Sequence, residues 1–473
     1  MESARSRIRP APAVALILAL GFAYRLFFLF LPVTVDDDAL AYAQLARNWF
    51  HHGVYGFLRD GHIAPTLVRL PGYPFFLGVV FSVFGAHHER PVMIVQALID
   101  LAACWLLYDV VRTWVSPRAG WAALLLAVFC PFTAAYTASG MTESLSVSCV
   151  ALAIWSLARV VRAAQRGQPA RGAFLALVLA LSYATLLRPD GALLSVVFCA
   201  ALYWYARRSL DAGRALRTAI VAGILAALPF IPWTIRNART FHVFQPLVPR
   251  DANNPGEFVP HGFQRWLSTW SLDYVDTGTI AWNQSDYIDP TDVAARACDT
   301  PAECQSTQAL IAEHNQVDAV TPQLDAQFAA LAAQRVREHP LDFYFVYPAI
   351  RVVDMWLRPR TELFNIGPWW WAFRYHPIAN SIAIFLGLVN LGYVLLAIVG
   401  FAQRRVPLAG ALLAYLLLRS LLLATLDSPE QRYTMEFFPI LFVAAACVFA
   451  RDRAASRQPD LEAPQTSTSA AVL

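Results

Sequence analysis

Apolar stretches long enough to cross a lipid bilayer recur from one end of this chain to the other, with short polar loops between many of them. About 20 consecutive apolar residues let an α-helix cross the hydrocarbon core, and a helix satisfies its own backbone hydrogen bonds there. Hydropathy predicts spans at residues 11–33, 91–113, 120–138, 143–160, 172–187, 191–206, 218–236, 377–402, 406–426 and 435–450. The sequence therefore predicts an all-α polytopic membrane protein with about 10 transmembrane helices.

The composition supports this class and argues against nucleic-acid binding. Hydrophobic residues make up 57% of the 473 residues and charged residues 15%, whereas soluble domains carry roughly 45–50% and about 25%. The net charge is +4, and the chain contains arginine but no lysine. The arginines cluster in short loops between apolar stretches, which is the pattern of membrane orientation rather than of a phosphate-binding stripe. We therefore expect no nucleic-acid partner.

Arginine placement also predicts the orientation of the chain. The first apolar stretch, Ala11–Val33, follows three arginines, is long enough to span and lacks a small-residue cleavage site, so we interpret it as an uncleaved anchor. With the N-terminus in the cytoplasm, the arginine-rich short loops between later spans all fall on the cytoplasmic side. The apolar segment Pro71–Gly85 is short for a span and would invert this pattern, so it is predicted to lie along the outer surface. Both termini are then cytoplasmic.

The alternation of apolar and polar regions predicts how the chain is divided. The stretch between residues 237 and 376 is the one long polar region, and the Ser/Thr/Ala-rich end of the chain has the composition of a disordered segment. We predict an N-terminal transmembrane catalytic module at 1–236 that includes a first outer loop at 34–90, an extracytoplasmic segment or small domain at 237–376, C-terminal transmembrane helices at 377–451, and a disordered cytoplasmic tail at 452–473.

Two of the seven cysteines stand apart from the other five. Cys298 and Cys304 lie in the sequence CDTPAEC within the long polar region, whereas the others lie in apolar spans. An oxidising compartment outside the membrane favours a disulfide between this pair. A metal site is the alternative, although no histidine lies close in sequence.

Two acidic features at the predicted outer face are candidates for chemistry. Asp36, Asp37 and Asp38 follow the first span directly, and repulsion among them predicts a raised pKa at one or more, which suits a general base. The alternative is a solvated acidic loop. Glu143, in SGMTE between two spans, is the second candidate, and helix capping with Thr142 is its alternative role.

Arginines at the outer ends of spans form a third candidate group. They are Arg69 in VRLPGYP, Arg188 in LLRPDG, Arg236 in PWTIRN and Arg432 in EQRY. A guanidinium group matches phosphate oxygens in charge and shape. Anchoring at lipid headgroups is the alternative for each taken singly.

Three further charges, Arg25, Asp100 and Arg419, fall inside spans, where they either tie helices together or take part in transport or catalysis.

The ordered set of motifs resembles a known superfamily. VDDDALAYAQLARNWFHHGVYGF, PTLVRLPGYPFFLGVVFSVFG, SGMTESLS, LLRPDG, PWTIRN and EQRYTMEFFP look like the GT-C glycosyltransferases, and are similar to the bacterial branch of protein mannosyltransferases and lipid A aminoarabinose transferases. The resemblance implies a polyprenyl-phosphate sugar donor, transfer with inversion at the outer membrane face, and two interfacial helices in the first outer loop.

The resemblance also implies roles for three residues. The acidic residue four positions before a tyrosine corresponds to Asp38, ahead of Tyr42, and the second acidic residue corresponds to Glu143. The basic residue before the proline-rich turn corresponds to Arg69, where family members often have lysine. The segment 237–376 matches no family pattern, which leaves a lipid, a glycan or a protein as the acceptor.

The sequence thus leads to a functional hypothesis. Asp38, together with Asp37, deprotonates or orients the acceptor, and Glu143 positions it. Arg69, Arg188 and Arg432, with Arg236 as a further phosphate-binding candidate, neutralise the departing lipid phosphate. No cofactor is required, although a divalent metal is compatible with the aspartates. The expected location is a bacterial inner membrane with the site facing outward. The alternatives are a lipid-linked oligosaccharide polymerase or ligase, and a transporter or flippase.

Overall fold

The structure, a computed structural model, describes residues 10–31, 37–86, 88–364 and 366–450. Asp36 and the predicted tail at 452–473 lie outside the described residues. The described helices are α1 (Pro10–Phe30), α2 (Asp37–His52), α3 (Gly72–Phe84), α4 (Arg90–Trp114), α5 (Pro117–Val128), α6 (Pro131–Tyr136), α7 (Glu143–Gln165), α8 (Arg171–Leu187), α9 (Gly191–Ala206), α10 (Ala212–Ala227), α11 (Phe230–Phe241), α12 (His261–Ser268), α13 (Tyr274–Thr279), α14 (Pro301–Val317), α15 (Pro322–Glu338), α16 (Tyr347–Leu357), α17 (Pro377–Ala402), α18 (Ala409–Leu423) and α19 (Phe438–Cys447). One hairpin, β1 (Gly56–Arg59) and β2 (His62–Pro65), completes the regular structure, together with short 3₁₀ turns and a π-helical turn at Asp342–Val346.

Several helices are apolar and long enough to cross a membrane. Among the described residues four meet this requirement, namely Ala11–Phe30, Arg90–Trp114, Glu143–Gln165 and Pro377–Ala402. The bent pair α10 and α11 makes a fifth if it is one span, and α3, α5, α8, α9 and α18 are shorter apolar helices. The mostly helical structure is consistent with the predicted all-α membrane class. Among the described residues, four or five helices are long and apolar enough to cross a membrane, and the predicted number of about ten stays a prediction.

Proline explains two differences from the predicted spans. The span predicted at 120–138 is broken, because α5 ends at Val128 and α6 begins at Pro131. The proline lacks an N–H and disfavours helical geometry at the residue before it, and Cys130 is extended with ψ 117°. The span predicted at 218–236 is bent by 41° between α10 and α11, where Pro229 interrupts the helix.

Burial separates the centre of the bundle from its lipid-facing helices. The apolar window of α7 is 83% buried, whereas those of α1 and α17 are 22% and 28% buried. Every residue of α19 is buried, so this helix belongs to the core of the bundle, and its ten residues are fewer than the roughly 20 that cross the hydrocarbon region. Gly400 permits its close contact with α17, since a Cβ there would lie 1.8 Å from the carbonyl oxygen of Ala444.

The segment after α1 lies over one end of the bundle. The helix α2 packs on α3, which in turn contacts α4 and α8. Between them, Asp60 and Gly61 form the hairpin turn with φ of 49° and 80°, the backbone geometry of a tight two-residue turn. The Tyr55 hydroxyl donates to the carbonyls of Arg69 and Leu70 at 3.0 and 3.1 Å. These bonds fix the backbone on which Arg69 is carried.

A second hydrophobic core lies within residues 263–332. Phe263, Trp266 and Trp270 pack there against Leu324 and Phe328, and all five are fully buried. This core is separate from the main bundle core and is built mainly by α12 and α15. Cys298 and Cys304 are disulfide-bonded in the same region, with their Cα atoms 5.0 Å apart.

Candidate active site

One carboxylate of the first loop, that of Asp38, meets an arginine from later in the same loop and an arginine from near the end of the described residues. Asp38 lies in the first turn of α2, where a negative charge is favourable to the helix dipole. Its Oδ1 accepts a hydrogen bond from Arg69 at 2.6 Å, and its Oδ2 accepts one from Arg432 at 3.0 Å. The three residues line a cavity of about 590 Å³ that also contains Asp37. The size of this cavity is in the range of small-molecule sites.

The two guanidinium groups determine the charge state of Asp38. Burial alone would raise its pKa, but Arg432 and then Arg69 hold that pKa below its usual value. The raised pKa expected at one or more of the three aspartates is therefore not found at Asp38. Its neighbours in space are two arginines. The carboxylate is ionised and paired.

A second cavity, of about 240 Å³, shares this ion-paired group with the first. Asp38, Arg69 and Arg432 line it too, and Glu143 and Arg188 join them there. Tyr42, whose pKa burial raises to about 12, also lines it. The structure thus brings five of the candidate residues to the smaller cavity, and three of them, Asp38, Arg69 and Arg432, line both cavities.

Glu143 and Arg188 belong to a buried charge network. Arg188 Nη1 donates to Glu143 Oε1 at 2.8 Å, and Arg188 Nε lies 3.4 Å from both Asp190 and Glu436. Arg419 closes the network, with Nη2 at 2.7 Å from Asp190 and 2.8 Å from Glu436. The Glu143 side chain is 2% exposed. Glu143 starts α7, but Thr142 makes no side-chain capping bond to that helix, so the ion pair is the main contact of this carboxylate.

A 3₁₀ turn at Gln431–Phe437 presents Arg432 to the cavities. Arg360 fixes this turn with two hydrogen bonds. Its Nη1 donates to the carbonyl of Gln431 at 2.7 Å, and its Nη2 donates to the Thr434 hydroxyl. Glu430 accepts from the Tyr433 hydroxyl and lies 2.5 Å from Arg432 Nε. The guanidinium of Arg432 is therefore positioned by a carboxylate on either side.

Two predicted residues have other surroundings. Asp37 is exposed on the larger cavity. Arg236 lies apart from both cavities, where it donates to the carbonyls of Thr66 at 2.7 Å and Tyr55 at 2.8 Å and stacks on the Tyr55 and Trp233 rings. In this arrangement Arg236 holds the hairpin segment against α11.

The charges predicted inside spans are paired. Arg25 on α1 bonds Asp100 on α4, and it also donates to the carbonyls of Gly21 and Val128 at 3.0 and 2.9 Å. Both side chains of the pair are buried. The Arg25–Asp100 pair links α1 to α4. Arg419 instead belongs to the buried charge network around Glu143 and Arg188.

Sequence reasoning missed several residues that complete the site. Asp190 is in the quoted motif LLRPDG, and Glu430 and Glu436 stand in EQRYTMEFFP and so were visible but unassigned. Tyr274, Trp282 and Glu362, which line the larger cavity, come from the region with no recognised pattern. Tyr274 and Trp282 reach the cavity through the packing of the region that holds the second core, and Glu362 reaches it from the segment after α16.

The carboxylates around Asp38 do not assemble a metal site among the described residues, since no group of three acidic, histidine or cysteine side chains there is placed to hold an ion. Both Asp38 oxygens already accept bonds from arginine.

Comparisons with known proteins agree with the predicted resemblance. Residues 68–236, less than half of the chain, match a family described as dolichyl-phosphate-mannose-protein mannosyltransferases. A search among curated protein sequences finds no match. The archaeal oligosaccharyltransferase AglB from Archaeoglobus fulgidus, in complex with an inhibitory peptide and a dolichol-phosphate, is 12% identical with a TM-score of 0.50, over 92% of this chain and 50% of that chain.

Two further solved structures extend the comparison. The A. fulgidus oligosaccharyltransferase tethered with an acceptor peptide is 11% identical with a TM-score of 0.51, over 92% of this chain and 49% of that one. ArnT from Cupriavidus metallidurans bound to undecaprenyl phosphate is 14% identical with a TM-score of 0.42, over 93% and 78%. This chain spans about half the length of the oligosaccharyltransferase. The resemblance to GT-C superfamily glycosyltransferases is confirmed.

Proposed function

We propose that this chain, which resembles the GT-C glycosyltransferases, transfers a sugar from a polyprenyl-phosphate donor to an acceptor at the outer face of a membrane. One observation carries the proposal, namely that Asp38 stands between Arg69 and Arg432 on a wall shared by two cavities. A base and two cations at one point are what transfer from a phosphate leaving group needs.

The donor phosphate would bind in the smaller cavity. Arg69, Arg188 and Arg432 all line that space, and a guanidinium group matches phosphate oxygens in charge and shape. The phosphate would compete with Asp38 for Arg69 and Arg432. Once it takes those bonds, the forces that hold the Asp38 pKa low weaken, and the carboxylate becomes a stronger base. Donor binding would thus prepare the base for the acceptor.

The step itself balances as a single displacement. The acceptor oxygen bonds the anomeric carbon, the bond from that carbon to the phosphate oxygen breaks, and the acceptor proton passes to Asp38. The departing polyprenyl phosphate gains a negative charge, which the arginines stabilise where it develops. Attack from the face opposite the leaving group inverts the configuration of the anomeric carbon.

The arrangement of the chain suits a lipid-borne donor. The positive-inside rule predicts that the loops carrying Asp38, Glu143, Arg188 and Arg432 lie on the side opposite the arginine-rich loops. A sugar outside the cell membrane must come without a nucleotide, and a polyprenyl carrier delivers it in the plane of the bilayer. We accordingly assign the chain to a bacterial inner membrane with both termini cytoplasmic and residues 237–376 outside.

Product analysis separates this function from its rivals. The purified chain, reconstituted in liposomes with a radiolabelled polyprenyl-phosphate sugar and a cell-envelope extract as acceptor, should form a covalent product that carries one added sugar. A ladder of products would favour a polymerase or ligase. Movement of the lipid-linked sugar across the bilayer with no covalent product would favour a flippase and contradict the proposal.

A further inference from the structure

The larger cavity has a wall that the transfer chemistry does not use. Opposite Asp38 it is lined by Tyr274, Trp282 and Gln284, which come from the region of the second core, and by Glu362 and Gln431. Trp282 is 51% exposed, whereas Trp266 and Trp270 in the same region are fully buried. A tryptophan left half exposed at a polar cavity is an unusual use of a large apolar side chain.

The two aromatic rings are held rigidly. The Tyr274 and Trp282 rings meet edge to face with centroids 5.6 Å apart. The backbone N–H of Tyr274 donates to Asp354 at 3.3 Å, and Arg358 stacks 5.7 Å from the Tyr274 ring. A platform fixed in this way loses little conformational entropy when a ligand stacks on it.

Oxygen acceptors without donors stand beside the platform. Glu362 Oε1 accepts from the Tyr136 hydroxyl at 3.1 Å, but Glu362 Oε2 and the Gln431 side-chain oxygen have no hydrogen-bond partner among the described residues. Both oxygens are buried. An unsatisfied buried acceptor is costly, and a ligand rich in hydroxyl groups would satisfy it.

We infer that Tyr274 and Trp282, with Glu362 and Gln431, form a subsite for a saccharide acceptor, an inference that rests on the proposed glycosyl transfer. A pyranose ring presents C–H bonds on one face, which pack on the negative face of an aromatic ring, and hydroxyl donors around its edge, which suit carboxylate and amide oxygens. The cavity volume of about 590 Å³ accommodates more than one sugar ring. An acyl chain would instead need an apolar lining, and the acidic residues Asp37, Glu362 and Glu430 do not supply it.

Saturation-transfer difference NMR tests the subsite directly. The probes are methyl α- and β-pyranosides of glucose, mannose, galactose and arabinose, added to the purified full chain in a detergent without a sugar headgroup. We expect saturation transfer to the ring protons of at least one glycoside. Trp282→Phe, which keeps a ring, should retain at least half of that signal, whereas Trp282→Leu, which keeps only bulk, should lose fivefold or more.

Controls separate the subsite from folding and from the proposed function. Trp204→Leu removes a tryptophan that is 49% exposed and does not line the cavity, and it should leave the signal unchanged. The thermal midpoint of each variant shows whether it is folded. The inference fails if no glycoside receives saturation from the wild-type chain. It also fails if the Trp282→Leu chain gives the same saturation-transfer signal as the wild-type chain, or if the acceptor proves to be a peptide.

Consumption of donor is measured in the same preparations. Donor turnover that depends on Asp38 without glycoside binding would overturn the subsite and leave the transferase standing. Glycoside binding without donor turnover would overturn the transferase and, with it, the acceptor role of the subsite, which would then be a saccharide-binding site only.

Discussion

Asp38 and Arg432 are 394 residues apart in the chain, yet Arg432 Nη1 donates a 3.0 Å hydrogen bond to Asp38 Oδ2. Arg69 donates to the other oxygen of the same carboxylate at 2.6 Å. The site therefore forms only when the first loop and the last polar turn pack on the same end of the bundle. Sugar transfer by the proposed mechanism depends on that convergence.

Arg432→Gln should reduce transfer about 10²–10³-fold in kcat, because a fixed cation is lost where charge develops on the departing phosphate. Arg432→Lys should recover part of the loss, since the charge returns without the planar fork. Steady-state rates with a polyprenyl-phosphate sugar measure both. Arg239→Gln is the matched control, since Arg239 is exposed and lines neither cavity. Equal rates for Arg432→Gln and the wild-type chain would remove Arg432 from phosphate binding.

Glu143→Gln should destabilise the chain by about 1–3 kcal/mol, since it leaves Arg188 with a weaker acceptor in a buried network. The comparison is Glu89→Gln, which alters an exposed pair with Arg47 at 3.7 Å and should change stability by less than about 0.5 kcal/mol. Unfolding in mixed micelles measures both variants. Equal unfolding midpoints for Glu143→Gln and Glu89→Gln would show that the buried Glu143–Arg188 pair stabilises the fold no more than the Glu89–Arg47 pair does.

Stability should fall as the pH rises through the titration of Asp354. Burial raises the pKa of Asp354 to about 6, and the Arg358 cation lowers it only in part. The folded chain therefore binds more protons at this group than the unfolded chain, whose carboxyl titrates near 3.9. Between these two pKa values, raising the pH favours unfolding through this group.

Asp354→Asn should flatten that part of the pH profile. The asparagine oxygen can still accept the Tyr274 N–H, and the buried charge is gone. Thermal midpoints of the wild-type and variant chains between pH 4 and pH 7 provide the test. We expect the thermal midpoint of the wild-type chain to fall relative to that of Asp354→Asn as the pH rises. A wild-type midpoint that rises relative to that of the variant would contradict the prediction.

The Cys298–Cys304 bond should stabilise its own region. It closes a loop with a sequence separation of six residues, for which loop-entropy arguments give roughly 2 kcal/mol. Replacing both cysteines with serine should lower the stability of the fold around the second core by about that amount. Alkylation of the denatured wild-type chain should label the five free cysteines without reductant and all seven with it. Seven labelled thiols without reductant would disprove the bond.

The membrane explains how much of the site was predictable. Once arginine counts orient the spans, Asp38, Glu143, Arg188 and Arg432 are all assigned to loops at one end of the bundle, so their convergence follows from topology. The broken helices follow from proline chemistry, since Pro131 and Pro229 both stand inside apolar stretches.

Side-chain partners were not predictable in the same way. Arg236 has the same motif context as the other arginines, but it is taken up by the carbonyls of Thr66 and Tyr55. The lowered pKa of Asp38 depends on cations that the sequence places far away. Tyr274 and Trp282 reach the cavity only through the packing of the second core.

Asp38→Asn is the most direct test of the central claim. Asparagine keeps the size and an acceptor for arginine but cannot take a proton, so the variant should insert and fold with a midpoint close to that of the wild-type chain. We predict that its transfer of sugar from a polyprenyl-phosphate donor in liposomes falls to the background of empty vesicles. A folded Asp38→Asn chain that transfers sugar at the wild-type rate would contradict the assignment of this carboxylate as the base.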